Sequence, residues 1–283
     1  DLQAAPIPKK WDREVNILIA GGGVAGCAAA IAASDAGEKS ILVLEKMPYA
    51  GGAGVLSSGT VMAAGTDIQK AKGIQDSTEL WYQDTMTTSG NGIDPKLART
   101  LIDNSLETYR FLQAAGLKWS NVDPLPGYSA DRCYREANGG AKLMKAVIGE
   151  VKKRNVPILL ETRATKIFVD TCGGSFPQGE VVGVECIGRR GKVMNIKVKK
   201  AFAICTGDFA ANAKYIESHF PELKGSTFVG HPGNTGDGIR MAQKLGADIT
   251  GYSPEGHPHV VEVSPGAPIL WCRYDLLARS GLI

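Results

Sequence analysis

Metal-ligand spacing is missing from this sequence. Its six cysteines, Cys27, Cys133, Cys172, Cys186, Cys205 and Cys272, include no CxxC, no CxxCH and no Cys/His pair at ligand distance, and only four histidines are present. Zinc, iron–sulfur and c-type haem sites within the chain are therefore not expected. Cys27, Cys186 and Cys205 stand in apolar runs, where buried free thiols are the expectation; the even count permits disulfides without arguing for them, and the redox compartment leans reducing. Charge of one sign is also scarce. The 32 Lys+Arg against 29 Asp+Glu leave a formal charge of +3, scattered rather than striped, so no nucleic-acid partner is expected, while small anionic ligands stay open. Residues 1–10 contain no apolar h-region, so no signal peptide is read there; the compartment stays open, with the cytoplasm slightly favoured and an exported form still allowed. Residues 15–33 hold only Asn16 as a polar side chain of weight, yet Gly21-Gly22-Gly23 interrupts them and divides a β-type run from an Ala-rich helical one, which excludes a membrane span.

Glycine, by contrast, is abundant: 35 of 283 residues, well above the typical ~7%. No periodic repeat or Gly/Ser linker accounts for them, so they read as tight turns where backbone approaches a ligand or another backbone. Residues 14–20 form a buried strand, 24–36 a helix with Gly37 as its stop, and 40–45 a second strand, which together make the βαβ unit of a parallel sheet. Residues 48–65, rich in Gly, Ala and Ser, read as a structured loop against a ligand. Helices are expected over 78–87, 95–115 and 141–154, strands over 157–170, 181–187, 193–198 and 201–206, and further helices over 212–220 and 236–245. Beyond Tyr252 the pattern becomes irregular, with Pro254, Pro258, Pro265 and Pro268. The expected organisation is a domain over 1–250 and the beginning of a second over 251–283.

Gly21, Gly23 and Gly26 form GxGxxG between the first strand and its helix. The first glycine permits the turn, the second lets backbone approach a pyrophosphate, and the third lets the helix lie close to the sheet. Backbone N–H groups at the helix N-terminus then meet phosphate charge without any lysine. Glu45, 19 residues after Gly26 at the end of the second strand, is placed to accept from ribose hydroxyls and to repel a 2′-phosphate. NAD and FAD share this fingerprint, and residues 1–46 do not separate them.

The separation comes from Glu45-Lys46, Gly51-Gly52, Leu56-Ser57-Ser58-Gly59 and Ala63-Ala64, followed by the AICTGDF run at 203–209 and by His231-Pro232-Gly233 with Thr235-Gly236-Asp237-Gly238. In this order they resemble the FAD-binding flavoprotein family of fumarate reductase and succinate dehydrogenase, which also contains 3-ketosteroid dehydrogenases. The resemblance implies an α/β, Rossmann-like FAD-binding domain with a parallel sheet, plus the start of a smaller α+β capping domain that contributes to the substrate site. It implies that Gly21, Gly23, Ala25 and Gly26 hold the FAD pyrophosphate and Glu45 the ribose. Lys46 joins the cofactor set, Gly52 with Ser57, Ser58 and Gly59 lies on the flavin side, Ala164 offers backbone to adenine, and Thr206, Gly207 and Asp237 make further contacts. Asp208 departs from the pattern, standing where the family usually has a second glycine.

Covalent members attach flavin through a histidine shortly after the Gly-Gly pair, where Ala53 and Gly54 stand here, so non-covalent FAD is expected. The family passes hydride between flavin N5 and a carbon of a carbonyl-activated C–C bond. By the same likeness His257 corresponds to a substrate-carboxylate histidine, with His259 as a competing candidate, and Tyr274 to a position facing the substrate, where a hydroxyl suits a ketone or ring better than a dicarboxylate. The expected partners are a small molecule with an activated C=C bond and an external electron donor, acceptor or redox subunit. Family members run well beyond this length, which implies a fragment, the favoured reading, or a site completed by a partner. The competing function is a non-catalytic flavoprotein subunit that relays electrons within a larger complex.

Overall fold

The computed structural model of the protein describes residues 5–89, 92–174, 179–226, 228, 230–249, 260–262 and 269–271. The chain divides into two units, Asp1–Ile249 and Thr250–Ile283. In the second, β9 (Val260–Glu262) and β10 (Ile269–Trp271) pair as an antiparallel hairpin.

The first unit is built on β1 (Arg13–Ala20), α1 (Val24–Asp35) and β2 (Ile41–Leu44). Leu18 and Ile19 are adjacent in sequence, point to opposite faces, and are both fully buried, as a strand covered on both sides requires. On one face Ile19, Ile41 and Val43 pack with Cys27, Ala30 and Ile31 of α1 and with Met144, Val147 and Val151 of α6 (Gly139–Lys153). On the other, Leu18, Ala20, Leu42 and Leu44 pack with Ala164, Ile167 and Met241. Burial pushes the Cys27 thiol up to about 11, with Glu45 adding to it; Cys27, Cys133 and Cys186 are buried free thiols, Cys205 is half-buried and Cys172 exposed.

The main sheet has the order β5-β2-β1-β8-β7-β6, with β5 (Ile158–Leu159), β6 (Arg163–Asp170), β7 (Glu180–Ile187) and β8 (Val193–Ile204). Its β5-β2-β1-β8 part is parallel, and β7 and β6 extend it antiparallel. Three stretches differ from the sequence expectation. Residues 193–204 are one strand rather than two, because β8 follows β1 from Ile196 to Ile204 while β7 covers only its first half. Residues 157–170 are two strands: Glu161 takes φ 51, and the chain changes partner there from β2 to β7. Residues 95–115 are two helices, α4 (Pro95–Asp103) and α5 (Ser105–Ala114), separated at Asn104, whose φ −93 and ψ 4 leave the helical region. The loop at 48–65 contains a 3-10 turn, Gly52–Leu56, and β3 (Thr60–Met62), which pairs antiparallel with β4 (Cys133–Arg135).

Arg132, just before β4, ties α3 (Thr78–Ser89) and the turn that joins it to α2 (Asp67–Ala71) to that strand. Its side chain is fully buried and donates to Asp76 through Nε and Nη2, at 3.1 and 2.8 Å, and to Asp84 at 2.6 Å. Two further helices, α7 (Ala213–His219) and α8 (Asp237–Gln243), follow β8.

Candidate functional site

Three loops meet beyond the carboxyl ends of β1, β2 and β8, where open parallel sheets bind their ligands. The first is the Gly-rich turn. Gly21 has φ 109, and a Cβ there would lie 2.1 Å from the Cys205 carbonyl oxygen; a Cβ on Gly26 would lie 1.8 Å from the Gly21 carbonyl oxygen. The protein's own backbone demands glycine at both. Gly23 differs: its φ −78 and ψ −167 suit any residue, and an added Cβ would meet only Gly52 Cα at 3.8 Å, ordinary contact. A methyl group at Gly23 would fit the turn, so neither its backbone conformation nor internal crowding calls for glycine there, and the position stays open to a ligand. Gly23 gives α1 no side-chain cap, and Val24 and Ala25 are exposed. The first-turn N–H groups of α1 therefore face outward as donors for an anion.

Glu45 follows β2 and is buried. Its Oε2 accepts the Gly22 N–H at 2.8 Å and its Oε1 the Met47 N–H at 2.8 Å. These bonds fix the carboxylate plane while each oxygen keeps a lone pair for an incoming hydroxyl. The kink after β5 braces the same residues, since Thr162 N–H donates to the Glu45 carbonyl at 2.8 Å and Glu161 N–H to the Met47 carbonyl at 3.0 Å.

The second loop runs from Gly51 to Gly59. Gly51 N–H donates to the Gly22 carbonyl at 2.8 Å. Gly52, at φ 52, brings its backbone so near Gly23 that its own Cβ would sit 3.1 Å from Gly23 Cα. Ser57 Oγ donates to the Gly54 carbonyl at 2.9 Å and accepts Gly59 N–H at 3.2 Å, and the Ser57 carbonyl accepts Gly140 N–H at 2.8 Å. Gly59 packs so closely on Gly139 that a Cβ would meet its carbonyl carbon at 2.6 Å. Ser58 is exposed, with its hydroxyl 2.9 Å from Thr60 Oγ1. Gly139 and Gly140, which seat this segment on the start of α6, were not singled out from the sequence; the Gly-Gly pair opening a helical pattern was the available signal.

The third loop joins Thr206-Gly207 to residues 231–237. Thr206 Oγ1 accepts Gly238 N–H at 3.2 Å. Asp208, the departure from the family pattern, is a brace: its Oδ2 accepts Asn234 Nδ2 at 2.7 Å, its Oδ1 accepts Ala210 N–H at 2.8 Å, and its carbonyl accepts Gly236 N–H at 2.9 Å. Asp237 is buried and accepts from Lys46 Nζ at 2.9 Å, from Arg163 Nε and Nη2 at 3.0 and 2.6 Å, and from Arg240 Nη2 at 2.7 Å. Burial alone would raise its pKa, but the hydrogen bonds and charges of Arg163 and Lys46 outweigh that and hold it at about 2. Lys46 also donates to Thr235 Oγ1 at 2.6 Å. Arg163, Ala164, Asp237, Arg240 and Lys244 border a cleft of about 420 Å³. Arg163 and Arg240 were missed from the sequence, because a cation at a strand start and another on a short helix carry no local signal of a shared partner.

The structure thus gathers Gly21, Gly23, Gly26, Glu45 and Gly52 around one turn and places Thr206 and Gly207 beside it. Ala164 and Asp237 border the cleft, with Lys46 bonded to Asp237, and Ser57 and Gly59 follow Gly52 in the second loop. His257, His259 and Tyr274 lie outside the described residues. Among the described residues no cluster of His, Cys, Asp or Glu could hold a metal, and no helix is long and apolar enough to cross a membrane.

The comparisons with known proteins agree with this geometry. The chain is 33% identical over 243 residues to the NADH:fumarate oxidoreductase of Klebsiella pneumoniae (strain 342), covering 85% of this chain and 25% of that protein. It is 34% identical over 238 residues to a fumarate reductase (cytochrome) of Shewanella frigidimarina, covering 83% of this chain and 40% of that protein. It therefore spans well under half the length of these relatives. Among solved structures, the 3-ketosteroid-delta4-(5alpha)-dehydrogenase of Rhodococcus jostii RHA1 superimposes with a TM-score of 0.75 at 29% identity, over 85% of this chain and 55% of that one. Residues 16–266, nearly all of the chain, match the family of the FAD binding domain, and the protein belongs to that family, with FAD as its cofactor.

Proposed function

We propose that the chain is the FAD-holding part of an oxidoreductase that acts on a carbon–carbon bond activated by a neighbouring carbonyl. The observation that carries this reading is the free space at Gly23 against the crowding at Gly21 and Gly26, which leaves the second glycine's surface open for a ligand at the start of α1. When bound, FAD supplies hydride transfer at its flavin ring.

The chain's own residues bind and orient. Gly23, Ala25 and Gly26 present backbone N–H groups to the pyrophosphate, Gly21 makes the turn that brings them there while its own N–H donates to the Leu44 carbonyl, and Glu45, held by Gly22 and Met47, accepts from the ribose. Ala164 offers backbone to adenine in the cleft that Asp237 borders, with Lys46 bracing Asp237, while Thr206 and Gly207 close the turn from the β8 side. Gly52 and Ser57 to Gly59 form the flavin side, where short side chains and the Ser57–Gly140 bond keep the backbone close. Residues 251–283 begin a substrate-capping domain in this reading, with His257 and Tyr274 facing the substrate. Relatives named for reduction of fumarate, acrylate and urocanate support an activated C=C acceptor, and the ketosteroid dehydrogenase likeness supports a cyclic ketone.

The test is anaerobic reoxidation of the reduced, FAD-loaded protein by fumarate, acrylate, urocanate or an α,β-unsaturated 3-ketosteroid, followed by flavin absorbance. Reoxidation by one of these is expected. A protein that holds FAD but reacts with none, while passing electrons to a redox dye, would favour the electron-relay reading instead.

A further inference from the structure

His231 is buried at 3% exposure and is not used by the site described above. Its Nδ1 lies 3.1 Å from Gly233 N, which donates to it. A ring nitrogen that accepts carries no proton, so the neutral imidazole holds its hydrogen on Nε2. Burial lowers the pKa of this histidine, opposed by the nearby Glu45 carboxylate, so the neutral ring is the form to explain. Its Nε2 is buried without a hydrogen-bond partner, an arrangement proteins avoid unless something else supplies the acceptor.

The surroundings indicate what supplies it. The loop that begins at His231 continues to Thr235 and Asp237, which hold Lys46, the residue after Glu45. Gly233 touches both the imidazole and the Met47 side chain: an added Cβ would meet His231 Cε1 at 2.8 Å and Met47 Cγ at 3.3 Å. The ring is thus enclosed by the loop that presents Glu45. Tyr49 packs on it edge-on, with centroids 5.8 Å apart, and is itself 44% exposed.

We propose that His231 is a cofactor-contact residue whose Nε2–H donates to an oxygen on the adenosine–pyrophosphate half of FAD, reached when the Tyr49 ring swings from its edge-on seat. The inference rests on the FAD-holding function above and adds a donor beside the acceptor Glu45. It makes the fold carry an unsatisfied group in the free protein that the cofactor relieves.

The experiment compares wild type, His231→Phe and His231→Gln as deflavinated protein, reading FAD affinity by fluorescence quenching, apo-protein melting, and the His231 Nε2–H resonance with and without FAD. Phe keeps the ring volume without a donor, and Gln returns an N–H near the Nε2 position. The expected result is an FAD Kd raised about ten- to a hundred-fold in His231→Phe, recovery to within about three-fold in His231→Gln, and a downfield shift of the resonance on FAD addition. Apo melting of His231→Phe should change little, because removing the unpaired Nε2–H offsets the loss of the acceptor for Gly233 N–H. Unchanged FAD affinity in His231→Phe, or a weakening matched by an equal loss of apo stability and not rescued by Gln, overturns the inference alone. Wild-type protein that takes up no FAD overturns the proposed function with it.

Discussion

Alanine substitutions at Gly23 and Gly26 should separate a ligand's demand for glycine from the fold's. At Gly26 the new methyl carbon would lie 1.8 Å from the Gly21 carbonyl oxygen. That neighbour is backbone, so the turn or the α1–β1 packing must move, at a typical cost of about 1–3 kcal/mol for overpacking, while the gain in helix propensity returns up to about 1 kcal/mol. With a backbone atom that close the upper end of the cost applies, and the net of about 2 kcal/mol should lower the apo melting temperature by about 4–8 °C at this size, with FAD uptake falling alongside. At Gly23 the backbone is already in the extended region and the nearest atom is 3.8 Å away. The free protein should be unchanged or stabilised by about 0.4–1 kcal/mol through the less flexible unfolded chain. The same methyl would stand where phosphate oxygens approach the α1 N-terminus. Losing one charge-assisted hydrogen bond, worth about 1.5–3 kcal/mol, should weaken FAD binding about 10- to 150-fold. Melting of the deflavinated proteins and FAD titration of both variants supply the assay. A Gly23→Ala protein that melts as low as Gly26→Ala, or that binds FAD like wild type, would refute the assignment of Gly23 to the pyrophosphate.

The Asp237 cluster predicts a pH signature. Its pKa is depressed to about 2 from an ordinary 3.8, so its ionised form stabilises the fold above about pH 4, and that contribution is lost as pH falls towards 2. With screening of the half-exposed Arg163 and Arg240 allowed for, it is worth about 1–2 kcal/mol. The denaturation free-energy gap between wild type and Asp237→Asn should be constant from pH 7 to 5 and shrink below pH 4; a gap that widens in acid would contradict the sign. Arg132→Met should strand the buried Asp76 and the nearly buried Asp84, costing about 3–5 kcal/mol and lowering the melting temperature by about 10 °C or more. A shift under about 2 °C would show that those carboxylates find other partners or protonate at little cost.

The βαβ unit was legible in the sequence because one local pattern reports it: an apolar strand, three glycines at fixed spacing, a small-residue helix and an acidic strand end. The breaks and joins elsewhere depend on tertiary contacts. Asn104 ends α4 without a glycine or proline to announce it. Glu161 takes a left-handed φ, rare for its residue type, because the chain there leaves β2 for β7 while its N–H and that of Thr162 satisfy the Met47 and Glu45 carbonyls. Lys199 and Lys200 interrupt the apolar pattern of β8, yet they pair with Glu14 and Glu38, so the strand runs on through them. In the site, glycines with a backbone role stood out from spacing, whereas the cations around Asp237 come from β6, α8 and the segment after β2. Only the fold shows that they converge.

The most direct test of the account is the absorbance spectrum of the purified protein, before and after denaturation, with the released pigment identified. The account predicts flavin bands in the folded protein and stoichiometric release of intact FAD into solution, since Ala53 and Gly54 stand where a covalent histidine attachment would be needed. Flavin that stays on the unfolded chain would contradict non-covalent binding. A protein that neither carries flavin nor binds added FAD would contradict the cofactor site itself.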